Sequence, residues 1–528
     1  MASIFDLKTN VGELSSANQA TSRMSYEQHP PTRDVTLANF PNGAIHFRFE
    51  TSGQKWWIPS RTYIRMRATL TKEDGTILEL SDDVAPNMGL CANLYQSAEF
   101  RIADKTVSRV SDYMAQVDAL DTRISKSKSW INSVGYATNW LQDKQNTRLN
   151  QVSRDGQDVN SKTLSSVSRL GLGYGAASTY EILTDSIDLL AAGANLVVGS
   201  FVVGDIFKIV GGAGDLTEYV IRAVTLDTVA QQTYVIDIGA EPRAAANGNF
   251  SRVRTNNPSR RVGQFEMTWQ PPLSIFKIPT AVPSGRYELV LNPQTSSQYR
   301  KRAIESLLAD KTPGAGNDYD FQITDMYLYV ATVDGTRADD LTYLLDLEEI
   351  RCQVDSADVG GAGFFQKNFD VSPSTFALTT AFQDTRAGSL TQYSASKFKI
   401  NSTAQDELKL NRMFISYAGQ QKPSPDADPE FNINDDRTIQ RYLESQIQTG
   451  AYFDCGGAED IEEYHNRGSY YYFAWPRDGT DRSTRVQVHY GFSGAVANSR
   501  VLLFDHAKKT ARIEVKDGRV INVQVEDA

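Results

Sequence analysis

The chain contains very little cysteine, and its three cysteines lie far apart. Cys91, Cys352 and Cys455 are the only cysteines among 528 residues, and no two follow a CxxC spacing. This distribution excludes a zinc ribbon and a thioredoxin-like redox site, because both need closely spaced thiols. A low and odd count is typical of a protein that folds in a reducing compartment, where disulfides do not persist.

Targeting and membrane signals are also missing. The first residues, MASIFDLKTN, have neither the basic start nor the apolar core of a signal peptide, and Ala2 excludes N-myristoylation. An apolar run at 189–204 is interrupted by Asn195 and several glycines. It is shorter than the ~20 residues that a helix needs to cross a bilayer. We therefore assign this run to a protein core and expect no transmembrane segment.

The chain has fewer basic residues than acidic ones, 54 Lys and Arg against 64 Asp and Glu. The formal net charge is −10, and the sequence pI is about 5.2. Residues 1–20 hold a single lysine and no arginine. Strong binding to nucleic acid needs clustered basic residues that displace counterions from phosphates. The basic clusters at 252–261 and 300–302 are therefore assigned to subunit contacts or solvated surface, and no strong direct nucleic-acid binding is expected.

No motif for phosphate binding or nucleophilic catalysis is complete. The glycine-rich string at 171–175 does not match GxGxxG, and no GxxxxGK[ST] occurs, so we interpret the string as a loop. The nearest approach to a GxSxG nucleophile elbow is Gly491-Phe492-Ser493-Gly494, which is one residue short and precedes a turn rather than a helix.

Metal-binding spacings are absent as well. The five histidines, His29, His46, His465, His489 and His506, form no HExxH or HxH pair. The acidic clusters at 435–436 and 459–463 are interpreted as solvated loops, although two carboxylates alone could serve a glycosidase. The sequence therefore predicts no catalytic, cofactor-binding or metal-binding residue, no cofactor, and a protein that is not an enzyme.

The dominant pattern is an alternation of period two. Ile45, Phe47 and Phe49 alternate with polar residues, and the same pattern recurs from Ile64 to Leu70. Such alternation is typical of strands with one face on a core and one toward water. We expect a hairpin at the Asp-Gly pair at 74–75, and further strands at 98–110, 287–293 and 318–333.

Three helices with an apolar face are predicted, and the polar segment 125–151 is interpreted as helix and loop. The first begins after Ser111 as N-cap and carries Met114, Val117, Leu120 and Ile124 on one face. The second covers 341–353, where leucines recur near helical spacing, and the third covers 437–447.

The amino-acid composition changes between residues 156 and 257, where Gly, Ala, Ser and Thr dominate. Compact strand signals occur there at 205–210, 218–226 and 233–238. This indicates a small β domain inserted into the preceding unit.

The second half of the chain repeats the element order of the first. After a linker candidate at 360–363, strands are predicted at 365–371, 374–382, 394–400 and 411–418. A helix and three more strands follow, and the chain ends in a hairpin that turns at Asp517-Gly518. Strands, a helix and more strands in each half indicate a duplicated architecture.

This order resembles the double-jelly-roll major capsid proteins of the adenovirus-like lineage, of virophage, polinton-like virus and adintovirus type. In the first half, residues 50–75 resemble the opening strands and 90–120 a later strand with its helix. Residues 318–333, with the helix expected near Leu341, resemble the crossing between jelly rolls. Residues 461–478 and 484–492 resemble the run into the final strands. The resemblance covers 40–150 and 260–528.

The resemblance implies an all-β fold with two jelly-roll β-sandwich domains side by side, a small β-rich insertion in the first, and short flanking helices. The expected division is an N-terminal arm at 1–40, a first jelly roll at 41–155 and 258–355, a tower-like insertion at 156–257, and a second jelly roll at 356–528.

The function that the resemblance implies is that of the structural major capsid protein of a DNA virus. Its homotrimers would form pseudo-hexagonal capsomers of an icosahedral capsid, located in the virion after assembly inside the host cell. The expected partners are neighbouring capsomers and minor or penton capsid proteins. The alternative is a carbohydrate-binding or carbohydrate-active β-sandwich protein, an adhesin or a glycosidase, in which Trp56, Trp57 and Trp475 would stack on sugars.

Overall fold

We call the chain outside the expected insertion at 156–257 the scaffold. The computed structural model describes most of the scaffold and short strands of the insertion. The described residues are 8–9, 24–36, 39–72, 84–86, 89–138, 174–175, 178–179, 186–190, 206–210, 218–220, 223–227, 233–237, 249–253, 264–294, 304–306, 319–335, 337–355, 363–384, 410–417, 419–422, 436–448, 472–474, 484–492 and 499–527.

In the first part of the chain, the described residues form eight strands and three short helices. In chain order they are β1 (Lys8–Thr9), β2 (Met24–His29), β3 (Ile45–Glu50), β4 (Lys55–Trp57), β5 (Tyr63–Lys72), β6 (Val84–Pro86), α1 (Leu90–Asn93), β7 (Tyr95–Ile102), β8 (Lys105–Val110), α2 (Met114–Ser125) and α3 (Lys128–Ser133).

Between residues 174 and 253, the described residues form eight short strands. They are β9 (Tyr174–Gly175), β10 (Ser178–Thr179), β11 (Ser186–Leu190), β12 (Ile206–Val210), β13 (Glu218–Val220), β14 (Ala223–Asp227), β15 (Thr233–Asp237) and β16 (Asn249–Val253).

The scaffold then resumes and continues to the end of the chain. Its elements are β17 (Gln264–Trp269), β18 (Arg286–Pro293), β19 (Ile304–Ser306), β20 (Tyr319–Asp334), β21 (Thr342–Val354), β22 (Gly363–Asp370), β23 (Thr375–Asp384), β24 (Leu410–Tyr417), β25 (Gln420–Lys422), α4 (Asp436–Gln448), β26 (Tyr472–Ala474), β27 (Arg485–Phe492), β28 (Ser499–Lys516) and β29 (Arg519–Asp527).

The first sandwich is made of two antiparallel sheets. One has the order β17-β5-β20-β2, with β4 also paired to β20, and the other has the order β3-β18-β7-β8. The alternating residues predicted from the sequence point inward, since Ile45, Phe47, Ile64 and Met66 are all buried in one cluster. Trp57 stacks on Phe100 in this core, with ring centroids 4.8 Å apart.

The second sandwich pairs a sheet of its own with a sheet that reaches back to the first half. Its own sheet has the order β22-β27-β24-β25. The facing sheet has the order β1-β21-β28-β23-β26, with β29 also paired to β28. The core between them contains Phe382, Met413, Val488 and Tyr490. The all-β fold with two jelly-roll sandwiches is thus confirmed.

Strand β28 separates the two cores. Val501 and Leu503 lie in the second core, whereas Leu502 and Phe504 lie in the first, and all four are at most 1% exposed. Neighbouring residues of a strand point to opposite faces, so a strand between two cores must be apolar on both. The sheet that contains β28 is therefore a shared wall.

The helix predicted at 341–353 is wrong, because this segment is strand β21. It pairs with β28 over 13 residues, from Thr342 opposite Glu514 to Val354 opposite Leu502. The apolar residues of this segment fit both the helical spacing of about 3.6 and the strand alternation of period two. Its alternation places Leu345 and Leu347 in the first core, and the long partner strand satisfies every second backbone group.

Two local details of the first half also differ from expectation. Helix α2 begins after Tyr113, which has a positive φ of 56° and makes no side-chain cap, so Ser111 is not the N-cap. The continuous strand expected at 98–110 is a hairpin, β7–β8, that turns at Ala103 and Asp104 with φ of 46° and 64°.

Other predicted elements agree with the structure. The final hairpin turns at Asp517 and Gly518, whose φ values of 55° and 74° give the left-handed turn that an Asp-Gly pair favours. Helix α4 and the strand signals of the insertion are present. The turn at 74–75, the linker at 360–362 and the strand at 394–400 lie outside the described residues. Among the described residues, none of the helices is both long and apolar enough to cross a membrane.

The division of the chain into domains stays a prediction, to which the pairing adds two facts. Strand β2, within the expected N-terminal arm, pairs with β20 of the first sandwich. The described strands of the insertion pair only with one another, and beyond its flanks the Thr268 amide donates to the Ala137 carbonyl at 2.8 Å. The chain therefore leaves the scaffold and returns to it at neighbouring positions.

We expect a chain in which a Gly/Ser bridge replaces residues 156–257 to keep a cooperative thermal melt and a β-rich circular dichroism spectrum. The scaffold sheets described here take no strand from that segment. Circular dichroism of the shortened and full chains in parallel is the measurement. Loss of cooperative melting would mean that the segment belongs to a jelly-roll core.

The shared wall predicts that neighbouring residues of β28 stabilise different sandwiches. Leu502→Ala and Leu503→Ala should each reduce the free energy of unfolding by about 2–5 kcal/mol, because each leaves a cavity in a separate core. Hydrogen exchange should locate the weakened protection in the first sandwich for Leu502→Ala and in the second for Leu503→Ala. Ile521→Ala, at a residue that is 55% exposed, is the control. Identical exchange maps for both core variants would contradict the shared wall.

Candidate functional site

The residues considered for catalysis or metal binding do not converge. His29, His46, His489 and His506 lie on four different strands. Among the described residues, no group of three or more His, Cys, Asp or Glu side chains could hold a metal ion. The thiols of Cys91 and Cys352 are buried, and burial raises the pKa of each well above its usual range. Neither thiol is therefore an available nucleophile.

Several candidates from the sequence lie outside the described residues. They are Ser493, Cys455, His465, Trp475, the glycines at 171 and 173, the acidic residues at 435 and 459–463, and the basic residues at 254–261 and 300–302.

Trp56 and Trp57 are core residues and are not available to stack on sugars. Trp57 is fully buried, and its indole Nε1 donates to the Thr62 hydroxyl at 2.8 Å. Trp56 is 8% exposed and packs edge-on against Tyr343. Their burial removes the observation that favoured a carbohydrate-binding protein, and that alternative is not supported.

The outer face of the β17-β5-β20-β2 sheet carries a cross-strand ionic and aromatic ladder. Arg65 donates to both carboxylate oxygens of Glu266, at 2.7 and 2.6 Å, and to the Tyr329 hydroxyl at 3.2 Å. Hydrogen bonds from Arg65 and Arg67 lower the pKa of Glu266 to about 2. Tyr329 in turn stacks on Tyr63 with ring centroids 5.4 Å apart. This ladder fixes strand register on a solvent-facing surface.

The opposite outer face of the first sandwich carries a second ionic cluster around Glu288 of β18. His46 and Arg48 of β3 contact Glu288 Oε1 at 3.0 and 2.5 Å, and Arg101 of β7 contacts Oε2 at 3.3 Å. Burial raises the pKa of Glu288, but the hydrogen bonds from Arg48 and His46 outweigh it and lower that pKa. Both outer faces of the first sandwich are thus polar and internally neutralised.

The outer face of the second sandwich is aromatic instead. Phe414 stacks on His489 with ring centroids 4.4 Å apart, and Phe364 stacks beside both rings. The Arg412 guanidinium lies 5.7 Å from the Phe364 ring centroid. Phe364 is 52% exposed, so this face presents apolar surface to its surroundings.

Helix α4 presents a further apolar stripe. Ile439, Leu443 and Ile447 recur at a spacing of four and are all exposed. The other side of the helix is anchored by Tyr442, which packs on the second core, and by Ser445, which is buried. Exposed apolar side chains that are grouped in this way are typical of protein–protein contact surfaces.

Buried polar residues lie where α2 meets the shared wall. Asp118 accepts a hydrogen bond from the Trp269 indole at 3.2 Å, and burial raises its pKa to about 7. Lys277 forms an ion pair with Asp121, one helical turn further along α2. On β28, burial lowers the pKa of His506 to about 3. We refer to Asp118, Asp121, Lys277 and His506 as the junction cluster.

Sequence reasoning missed the junction cluster and the exposed face of α4. The apolar spacing predicts α2 but gives no signal for Asp118 and Asp121, because acidic residues in a helix are usually solvated. The spacing of Ile439, Leu443 and Ile447 was a usable signal, although it does not tell which side of the helix packs inward.

No family model matches the sequence, and no curated protein matches it. Solved structures do match in fold. A chain of the Sputnik virophage structure, 10% identical, has a TM-score of 0.54 and aligns over 99% of this chain and 91% of its own. The major capsid protein of mavirus, 10% identical, has a TM-score of 0.43 with coverages of 98% and 93%. That of Faustovirus, 10% identical, has a TM-score of 0.44 with coverages of 96% and 93%.

Proposed function

We propose that this chain is the structural major capsid protein of a DNA virus and has no enzymatic activity. The observation that carries the proposal is the pair of jelly-roll sandwiches joined by one shared wall. The same fold is found in the Sputnik virophage structure over nearly the whole of this chain. Jelly rolls are a common architecture of viral capsid domains. The resemblance seen in the sequence supports the same function.

The chemistry of the described residues supports a structural role. The polar clusters on the first sandwich are paired within the chain, and the buried thiols and tryptophans are packed in cores. Among the described residues, α4 and the surroundings of Phe364 present grouped apolar side chains that are available for contact. Large permanent interfaces are built around apolar surface of this kind.

We further propose that the chain forms homotrimers, which are pseudo-hexagonal capsomers of an icosahedral shell in the virion. Two jelly rolls per subunit give six around a closed threefold axis, and closed cyclic symmetry is the usual arrangement of homo-oligomers. Neighbouring capsomers and minor or penton capsid proteins would be the partners. Assembly would take place inside the host cell.

Light scattering coupled to size exclusion tests this proposal on the full chain. We expect a single species with three times the 58.6 kDa mass of the chain. The mass should not change on moderate dilution, because a permanent interface of several thousand Å² dissociates little. A monomer at micromolar concentration would contradict the capsomer.

We expect DNA binding to be weak and salt-sensitive. The net charge of −10 repels phosphates, and Arg48, Arg65, Arg67 and Arg101 on the outer faces of the first sandwich are already paired with carboxylates. Fluorescence anisotropy with a short duplex at low and physiological salt is the measurement. Nanomolar affinity that persists at physiological salt would contradict this expectation.

A further inference from the structure

The final hairpin, residues 509–527 of β28 and β29, is packed into the first sandwich although it follows strands β22 to β27 of the second sandwich in the chain. Its buried apolar residues all belong to the first core, and they are Ala511, Ile513, Val515, Val520 and Val523. Among the described residues, none of the hairpin lies in the second core. The two sheets of the first sandwich end with β20 at Asp334, so this hairpin is a late addition to their core.

Hydrogen bonds attach the turn of the final hairpin to the segments that precede β18 and β21. The Val520 amide donates to the Ser284 carbonyl at 2.8 Å, and the Ser284 hydroxyl donates to the Gly518 carbonyl at 3.2 Å. The Gly518 amide donates to the Asp340 carboxylate at 3.4 Å. Ser284 is buried, so water does not compete for its two bonds. These bonds fix the hairpin at one position on the first sandwich.

The hairpin also packs directly on the backbone of the first sandwich at Gly285. A Cβ atom at this position would lie 3.1 Å from the Val520 Cβ, which is closer than an ordinary van der Waals contact. Gly285 is bonded in both directions to Thr51 at the end of β3: its amide donates to the Thr51 hydroxyl, and its carbonyl accepts from the Thr51 amide. The packing of Val520 is therefore coupled to the pairing of β3 with β18.

The hairpin closes a side of the first core that would otherwise be open. Ile513 lies opposite Tyr343 of β21, and Tyr343 packs edge-on against Trp56. Strand β29 contacts β7 and β8 at the edge of the other sheet. Without the hairpin, these apolar side chains would be exposed to water, which disfavours the folded state.

We propose that stable folding of the first sandwich depends on the final hairpin, so that the sandwich that is synthesised first completes its core last. Strands β22 to β27 are made in between, and synthesis from residue 335 to residue 523 takes roughly 10–40 s at ~5–20 residues per second. During this time the second sandwich acquires its strands, while the first core stays open. A chain interrupted before the hairpin has no complete first sandwich. On the proposed function, such a chain cannot supply two sandwiches to a capsomer.

A charge placed on the buried face of the hairpin tests the proposal in the full chain. In Val523→Asp, hydrogen exchange of β7, β8 and β18 should become about 100-fold faster, because a carboxylate without a partner is costly in a core. Exchange of β24 and β27 in the second sandwich should not change. Ile521→Asp is the matched control, since Ile521 lies on the same strand and is 55% exposed, and it should follow the wild type.

Two results would overturn the proposal. If Val523→Asp speeds exchange only within residues 509–527, the first sandwich is stable without the hairpin. If both sandwiches lose protection equally, the hairpin stabilises the whole chain and has no particular role in the first sandwich. Neither result bears on the oligomeric state of the chain, so the capsomer stands or falls separately.

A milder pair of variants serves if Val523→Asp gives no soluble chain. Val523→Ala leaves a small cavity in the first core and should speed exchange of β7, β8 and β18 by about tenfold. Ile521→Ala is its control and should have no effect on these strands. Exchange of β7, β8 and β18 at the wild-type rate in Val523→Ala would contradict the dependence of the first sandwich on the hairpin.

Discussion

The structure depends on one constraint, which is that strand β28 must be apolar on both of its faces from Val501 to Phe504. Its residues Val501 to Phe504 supply alternate side chains to two separate cores, and β21 and β23 flank it on either side. A polar residue at any of these four positions would be buried without a partner. The two sandwiches therefore share one sheet and are not two separate domains joined by a linker.

This constraint explains where sequence reasoning succeeded and where it stopped. Half-buried strands such as β3 and β5 have a clear period of two, and their prediction was correct. Strand β21 pairs with a partner 148 to 172 residues away, and no local pattern indicates that partner, so the spacing of its leucines favours a helix. The domain boundary predicted at residue 355 separates β21 from β28 along the chain. In the structure, these two strands are paired with each other.

The candidate surfaces were less predictable than the fold. Exposure depends on what packs against a face, so Ile439 and Phe364 could have been core residues on sequence grounds alone. The ionic ladders on the first sandwich join residues more than 180 positions apart in the chain, as Arg65 and Glu266 do. The junction cluster is a similar case, because the burial of Asp118 depends on Trp269 and on the wall behind α2.

Two sandwiches share one wall, and apolar patches lie on the second half of the chain; this geometry is what the capsid role depends on. Cryo-electron microscopy of the purified full chain tests this most directly. The account predicts a threefold particle with a hexagonal outline, in which each subunit contributes two sandwiches that share β28. A map with a single isolated subunit, or with β21 and β28 in separate sheets, would contradict it.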